Sequence, residues 1–123
     1  MWGLSLNQWG LRLSDRSFFD AAISSYTRAI ATWPAFASAY FRRGVIYSRE
    51  LGEHARGIED LDRAIACAPE RAELYLQRGL ILRFHGDPRA AEADLRHFIA
   101  LEPHSSWRQE VEHQLSQLSH DMG

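Results

Sequence analysis

The sequence predicts an all-α array of three antiparallel helix pairs closed by a single final helix, and three observations carry that prediction. Gly10, Gly44 and Gly79 stand 34 and 35 residues apart. Pro34, Pro69 and Pro103 recur at intervals of 35 and 34. The phrase leading into each proline nearly repeats, as RAIATWPA (28–35), RAIACAPE (63–70) and HFIALEPH (97–104). Ala22, Gly57 and Ala91 keep the same period, as do Ala29, Ala64 and Phe98. A period of this size marks a supersecondary unit that buries its apolar face only by stacking on its neighbours.

The first unit, about residues 3–36, opens with Leu6-x₂-Trp9-Gly10-x₂-Leu13 and continues with Ala22-x₃-Tyr26, Ala29 and Pro34. The second, about 37–71, reads Tyr40-x₂-Arg43-Gly44-x₂-Tyr47, then Gly57-x₃-Leu61, Ala64 and Pro69. The third, about 72–105, reads Tyr75-x₂-Arg78-Gly79-x₂-Leu82, then Ala91-x₃-Leu95, Phe98 and Pro103. A glycine inside a helix costs about 0.8–1.0 kcal/mol relative to alanine. Its return at one place in three units needs a compensating gain, and two helices meeting where no side chain holds them apart supply it. Tyr40 with Tyr47, and Tyr75 with Leu82, fall seven apart on one helical face and form the interlocking layer. Each proline stops a second helix because it has no N–H to donate. Gly52 and Gly86 mark the turns within units two and three.

Two irregularities carry expectations of their own. Gly44 to Gly52 takes eight residues where Gly79 to Gly86 takes seven, so a bulge or longer loop is expected around Ser48 to Leu51. Phe98 stands where the other units have alanine, and the final helix is expected to shift to make room. Beyond Pro103, Ser106 with Gln109 reads as a capping box. Trp107, Val111, Leu115 and Leu118 then form the apolar stripe of a seventh helix at about 106–119 that covers the third unit. Its polar side, with Arg108, Glu110, Glu112 and Gln114, is expected to face water.

These motifs resemble the tetratricopeptide repeat (TPR), over about residues 3–105. The resemblance implies a right-handed superhelical α-α solenoid, one domain over residues 1–123, whose first helices line a concave groove for a peptide or a partner helix. Carried over position by position, the groove residues are Asn7 and Leu11 in unit one, Phe41, Arg42, Val45 and Arg49 in unit two, and Gln77, Leu80, Arg83 and Phe84 in unit three. An apolar floor ringed by arginines suits an amphipathic helix, or an extended segment with an acidic residue or a terminal carboxylate. Members that clamp the acidic C-terminus of heat-shock chaperones carry lysine, asparagine and arginine at five set places. Here those places hold Asn7, Leu11, Arg42, Glu73 and Gln77, and Glu73 has the wrong charge, so that co-chaperone role is not expected. The implied role is a non-catalytic scaffold or adaptor. The alternative is a self-associating scaffold, a homodimer through an uncapped N-terminal edge at Trp2 and Leu4.

Composition narrows the field further. Hydrophobic residues at 46% and charged residues at 24% fit an ordinary globular domain. The longest charge-free stretch, Ala29 to Phe41, is interrupted by Pro34 and too short to span a bilayer, so no membrane partner is expected. The fourteen basic residues are all arginine and the net charge is −2, which lacks the electrostatic footprint of a nucleic-acid binder. The opening MWGLSLNQWGLRLSD has no basic leader or small-residue cleavage site, and the single Cys67 has no disulfide partner, so a cytoplasmic location is expected. Cys67 reads as a small buried helix residue. No phosphate loop, zinc-type cysteine pair or HExxH occurs, so no enzyme, cofactor or metal is expected. His113 and His120 could share a face but lack a third ligand. The acidic run Glu59, Asp60 and Asp62 reads as a solvated outer face, and Glu59–Arg63 and Glu92–Arg96 as surface pairs.

Overall fold

The computed structural model describes the backbone of residues 2–122 and the side chains of residues 16–122. Among the described residues there are six α-helices: α1 (Trp2–Thr32), α2 (Ala37–Val45), α3 (His54–Cys67), α4 (Ala72–His85), α5 (Pro88–Leu101) and α6 (Arg108–Met122). No strand occurs among the described residues. Each helix packs on the next, so α2 with α3 and α4 with α5 form two hairpins, α1 lies on the first and α6 on the second. No helix of the described residues is long and apolar enough to cross a membrane.

The fold class is the expected one, with six helices in place of seven. The difference lies in unit one, where α1 runs unbroken through the place of the expected first turn. Gly52 and Gly86 sit seven or eight residues after their unit's central glycine, and Ser17 and Phe18 occupy that place after Gly10. From Leu11 to Ala31 the sequence has neither glycine nor proline, so nothing interrupts the helical hydrogen bonds.

The surplus residue of unit two appears as a π-helical turn at Ile46–Glu50 that continues α2. The Leu51 amide donates to the Ile46 carbonyl at 3.1 Å, five residues back, which absorbs one extra residue without unwinding the helix. Gly52 follows with φ +69°, a left-handed conformation that a side chain disfavours, and reverses the chain. The prolines work with equal regularity. Helices α1, α3 and α5 end at Thr32, Cys67 and Leu101, each two residues before a proline. The residue between is forced out of the helical region by the proline ring, as at Ala68 (φ −143°, ψ 70°) and Glu102 (φ −132°, ψ 67°).

The expected close crossings are present at Gly44 and Gly79; Gly10 lies outside the residues whose surroundings are described. A Cβ added to Gly44 would sit 2.9 Å from the Gly57 carbonyl oxygen and 2.9 Å from Asp60 Cβ. One on Gly57 would meet the Gly44 carbonyl oxygen at 2.8 Å. At Gly79 the nearest atoms belong to Leu95 and Asp94 on α5. Around these crossings lie two core clusters. Tyr40, Leu61, Ala64, Leu74 and Ile81 join α2, α3 and α4; Tyr75, Leu76, Ala91, Leu95 and Phe98 join α4 and α5 to Val111 and Leu118 of α6. The Phe98 ring is buried where α5 meets α6, so the space an alanine would leave is filled by the larger side chain.

Several side chains lie elsewhere than the sequence led us to expect. Asp60 is buried, not solvated, and takes two hydrogen bonds from the Arg43 guanidinium, at 2.8 and 2.7 Å. Arg78 grips buried Asp94 in the same way at 2.7 and 2.8 Å and reaches back to Asp62 at 2.8 Å. Arg43 reaches back to Thr27, so each arginine ties its own hairpin to the helix before it. These bonds hold both guanidinium pKa values above the ordinary arginine value, against the opposing pull of burial. Cys67 is exposed, because Ala64 and Ala68 take the inward positions of that turn. Ser106 forms no capping box: α6 begins at Arg108, and the Trp107 amide donates to Ser105 Oγ at 3.1 Å. Of the two surface pairs, Arg96–Glu92 forms at 3.2 Å and Glu59–Arg63 does not form among the described residues.

Candidate binding groove

Helix α4 is central, and three of its sides are occupied differently. Tyr75, Gly79 and Leu82 turn toward α5, and Leu74 and Ile81 toward α2 and α3. The stripe Glu73, Gln77, Leu80 and Phe84, spaced three and four residues apart, faces an open cavity of about 1040 Å³. Opposite this stripe stand the loop after α5 and the first turns of α6, with Glu102, Ser105, Trp107, Glu110, Val111 and Gln114. Leu76 and Phe98 lie on the floor, and Arg49 comes from the π turn. Two large rings remain open over this cavity: Phe84 is 63% exposed and Trp107 59%.

The structure brings four of the sequence-derived groove residues into this cavity: Arg49, Gln77, Leu80 and Phe84. Phe41, Arg42, Val45 and Arg83 do not line it. Phe41 and Val45 are half-buried on α2, Arg42 is exposed, and the Arg83 guanidinium lies 4.8 Å from the Phe84 ring centroid, a cation–π contact. Asn7, Leu11, Trp2 and Leu4 lie outside the residues whose side chains are described.

The cavity wall contributed by α6 was missed from sequence. Glu110 and Gln114 look outward on a plain helical projection, yet both line the cavity and Gln114 is half-buried. The signal was present in the spacing, since positions 107, 110, 111 and 114 make one stripe. Gln114 Nε2 donates to Glu110 Oε1 at 2.7 Å, which leaves Gln114 Oε1 buried without a partner. Glu73, whose charge argues against an acidic tail, is paired with Arg71. Arg71 also donates to Ser38 Oγ at 2.9 Å and covers the Phe41 ring, so it ties the loop before α4 to α2. At the other end His85 stacks on His54 at 3.5 Å, and His54 Nδ1 lies 2.8 Å from Ser48 Oγ.

Comparison with known proteins agrees with this architecture. A family profile described as tetratricopeptide repeat matches residues 46–116, and a second profile of the same description matches residues 7–72. No curated protein matches the chain. Among solved structures, the chain is similar to the first TPR of Spaghetti (RPAP3) bound to the HSP90 peptide SRMEEVD, with TM-score 0.77 and 24% identity over 97% of this chain and 91% of that one. The second TPR domain of human RPAP3, in complex with the HSP70 peptide SGPTIEEVD, gives 0.73 and 23% over 94% and 93%. The Arabidopsis OM64 TPR domain gives 0.72 and 25% over 89% and 87%. With profiles that each match more than half of its length, and with the helical repeat laid out in its structure, this chain belongs to the tetratricopeptide repeat family.

Proposed function

We propose that the chain is a non-catalytic interaction module, a scaffold or adaptor, whose concave groove holds a peptide or a partner helix. The observation that carries this reading is the pair of open rings, Phe84 and Trp107, over an apolar floor of Leu76, Leu80 and Phe98. Large exposed apolar side chains converging on one concavity are the usual mark of a surface that a partner covers. The peptide-bound relatives add support at the level of the fold. They do not transfer their ligand, because the places that would hold an acidic C-terminal tail carry Arg42, Glu73 and Gln77 in this chain. The test is affinity purification with the wild-type chain and with Leu80→Asp/Phe84→Asp, each checked for helical content. Loss of specific bound proteins in the variant supports the groove; an identical set of bound proteins overturns it.

A second reading is self-association, at the turn between α1 and α2 in place of the N-terminal edge at Trp2 and Leu4, and one observation favours it. Trp33 and Phe36, between α1 and α2, lie edge to face at 6.0 Å and remain exposed. Sedimentation of the wild type beside Trp33→Ser/Phe36→Ser decides it: a dimer lost in the variant supports this reading, and a monomer in both removes it.

A further inference from the structure

We infer that the occupant of the groove is a cationic amphipathic helix, with apolar residues for Phe84 and Trp107 and lysines or arginines beside them; this rests on the groove reading above. The sequence alone suggested the opposite sign, from the arginines on the first helices. Two of those arginines, Arg42 and Arg83, do not line the cavity. The wall instead presents four carboxylates, Glu70, Glu73, Glu102 and Glu110, against two guanidinium groups, Arg49 and Arg71.

What matters for a ligand is which of these groups are uncommitted. Arg71 and Glu73 neutralise each other, and Arg71 is further held by Ser38. Glu70, Glu102 and Glu110 form no ion pair among the described residues, and all three are exposed. Glu110 accepts only from Gln114, and the other end of that amide, Gln114 Oε1, is a buried acceptor with no donor. The charged groups on the α6 side of the groove, Glu102 and Glu110, are therefore both acidic, and no guanidinium lines that side. Arg49, on the π turn, forms no ion pair among the described residues, so three unpaired carboxylates face one unpaired guanidinium on the wall, and His85 is engaged in its stack on His54. A partner that brings positive charge pairs with the exposed carboxylates, whereas an acidic tail meets like charge on the α6 wall. The apolar floor and open rings supply the non-directional part of binding, and the three free carboxylates select the sign of the partner.

The experiment uses two synthetic amphipathic helices, one of leucine and lysine and its twin with every lysine replaced by glutamate. Each is titrated by fluorescence anisotropy into the full chain at near-physiological salt. The lysine helix is expected to bind roughly tenfold more tightly than its twin. Glu70→Gln/Glu102→Gln/Glu110→Gln is expected to remove most of that difference. Asp20→Asn/Glu59→Gln/Asp121→Asn, which removes the same charge from exposed positions off the groove, is expected to change binding by less than about twofold. Circular dichroism establishes that the variants are folded. Equal losses in the two triple variants would reduce the effect to bulk attraction and overturn the inference, as would the absence of binding by either helix. A glutamate helix that binds as well or better, and is lost in Leu80→Ser/Phe84→Ser, would overturn the inference and leave the groove standing. Lysine-helix binding untouched by Leu80→Ser/Phe84→Ser, which removes the apolar contacts without adding charge, would overturn the groove reading itself.

Discussion

Replacing Gly57 by alanine tests the packing of the array, because two well-understood effects oppose each other there. Inside an exposed helix the change stabilises by about 0.8–1.0 kcal/mol, since alanine loses less backbone freedom on folding. At Gly57 the new Cβ would lie 2.8 Å from the Gly44 carbonyl oxygen and 2.8 Å from Ser48 Cβ, where ordinary contact begins at 3.4 Å. Neither neighbour is the end of a flexible side chain, so α2 and α3 must move apart by several tenths of an ångström. Overpacking of this kind costs about 1–3 kcal/mol. Separation also stretches the Arg43–Asp60 bonds, which bridge the same two helices. Subtracting the helix-propensity gain leaves a net loss of up to about 2 kcal/mol, or a midpoint lower by as much as roughly 8 °C for a chain of this size. Urea and thermal unfolding followed by circular dichroism measure it. Ala66→Gly, on the exposed side of the same helix, provides the propensity effect alone, a loss of about 1 kcal/mol. A Gly57→Ala variant more stable than the wild type would refute the close-crossing argument.

Asp94→Asn leaves Arg78 with only the exposed Asp62 as its partner, and a loss of about 2–3 kcal/mol is expected in urea unfolding, below the full value for a buried pair because Arg78 keeps some access to water. Unchanged stability would show that the pair contributes nothing. Because Asp94 holds Arg78 above the ordinary arginine value, its contribution is complete below that ordinary value and lost only as pH rises past the higher folded one. The stability gap between wild type and Arg78→Met is therefore expected to stay constant from about pH 7 to pH 10, and a gap that closes as pH rises would contradict this assignment. Cys67 is expected to react with N-ethylmaleimide in the native protein, and Cys67→Ser to change stability by less than about 0.5 kcal/mol. A thiol protected until unfolding would contradict its exposure.

The period of the small residues and prolines was enough to predict the helical array, since Gly44, Gly79 and the prolines act through backbone geometry that a sequence displays directly. The π turn was legible for the same reason, as a difference of one residue between two glycine spacings. What the sequence concealed depends on how helices face each other across the array. Asp60 and Asp94 lie 34 residues apart and Arg43 and Arg78 lie 35 apart, so the repeating ion pairs were visible as a period, but nothing local marks those acids as buried. The α6 wall was hidden because a terminal helix has one face on the core, one in water and a third across a cavity, and only packing separates the last two. The long α1 followed from a missing breaker near Ser17, a signal easily passed over where the rest of the unit keeps its pattern.

The claim on which the account turns is that the concave face along α4 and α6 is the working surface. Amide chemical-shift mapping by NMR, with the leucine–lysine helix titrated into the labelled chain, tests it most directly. Shifts are expected to concentrate at Leu76, Leu80, Phe84, Glu110 and Gln114, with Glu59, Arg63 and Arg96 on the outer faces of α3 and α5 unmoved. Shifts centred on those outer residues instead, with the α4 stripe silent, would contradict it.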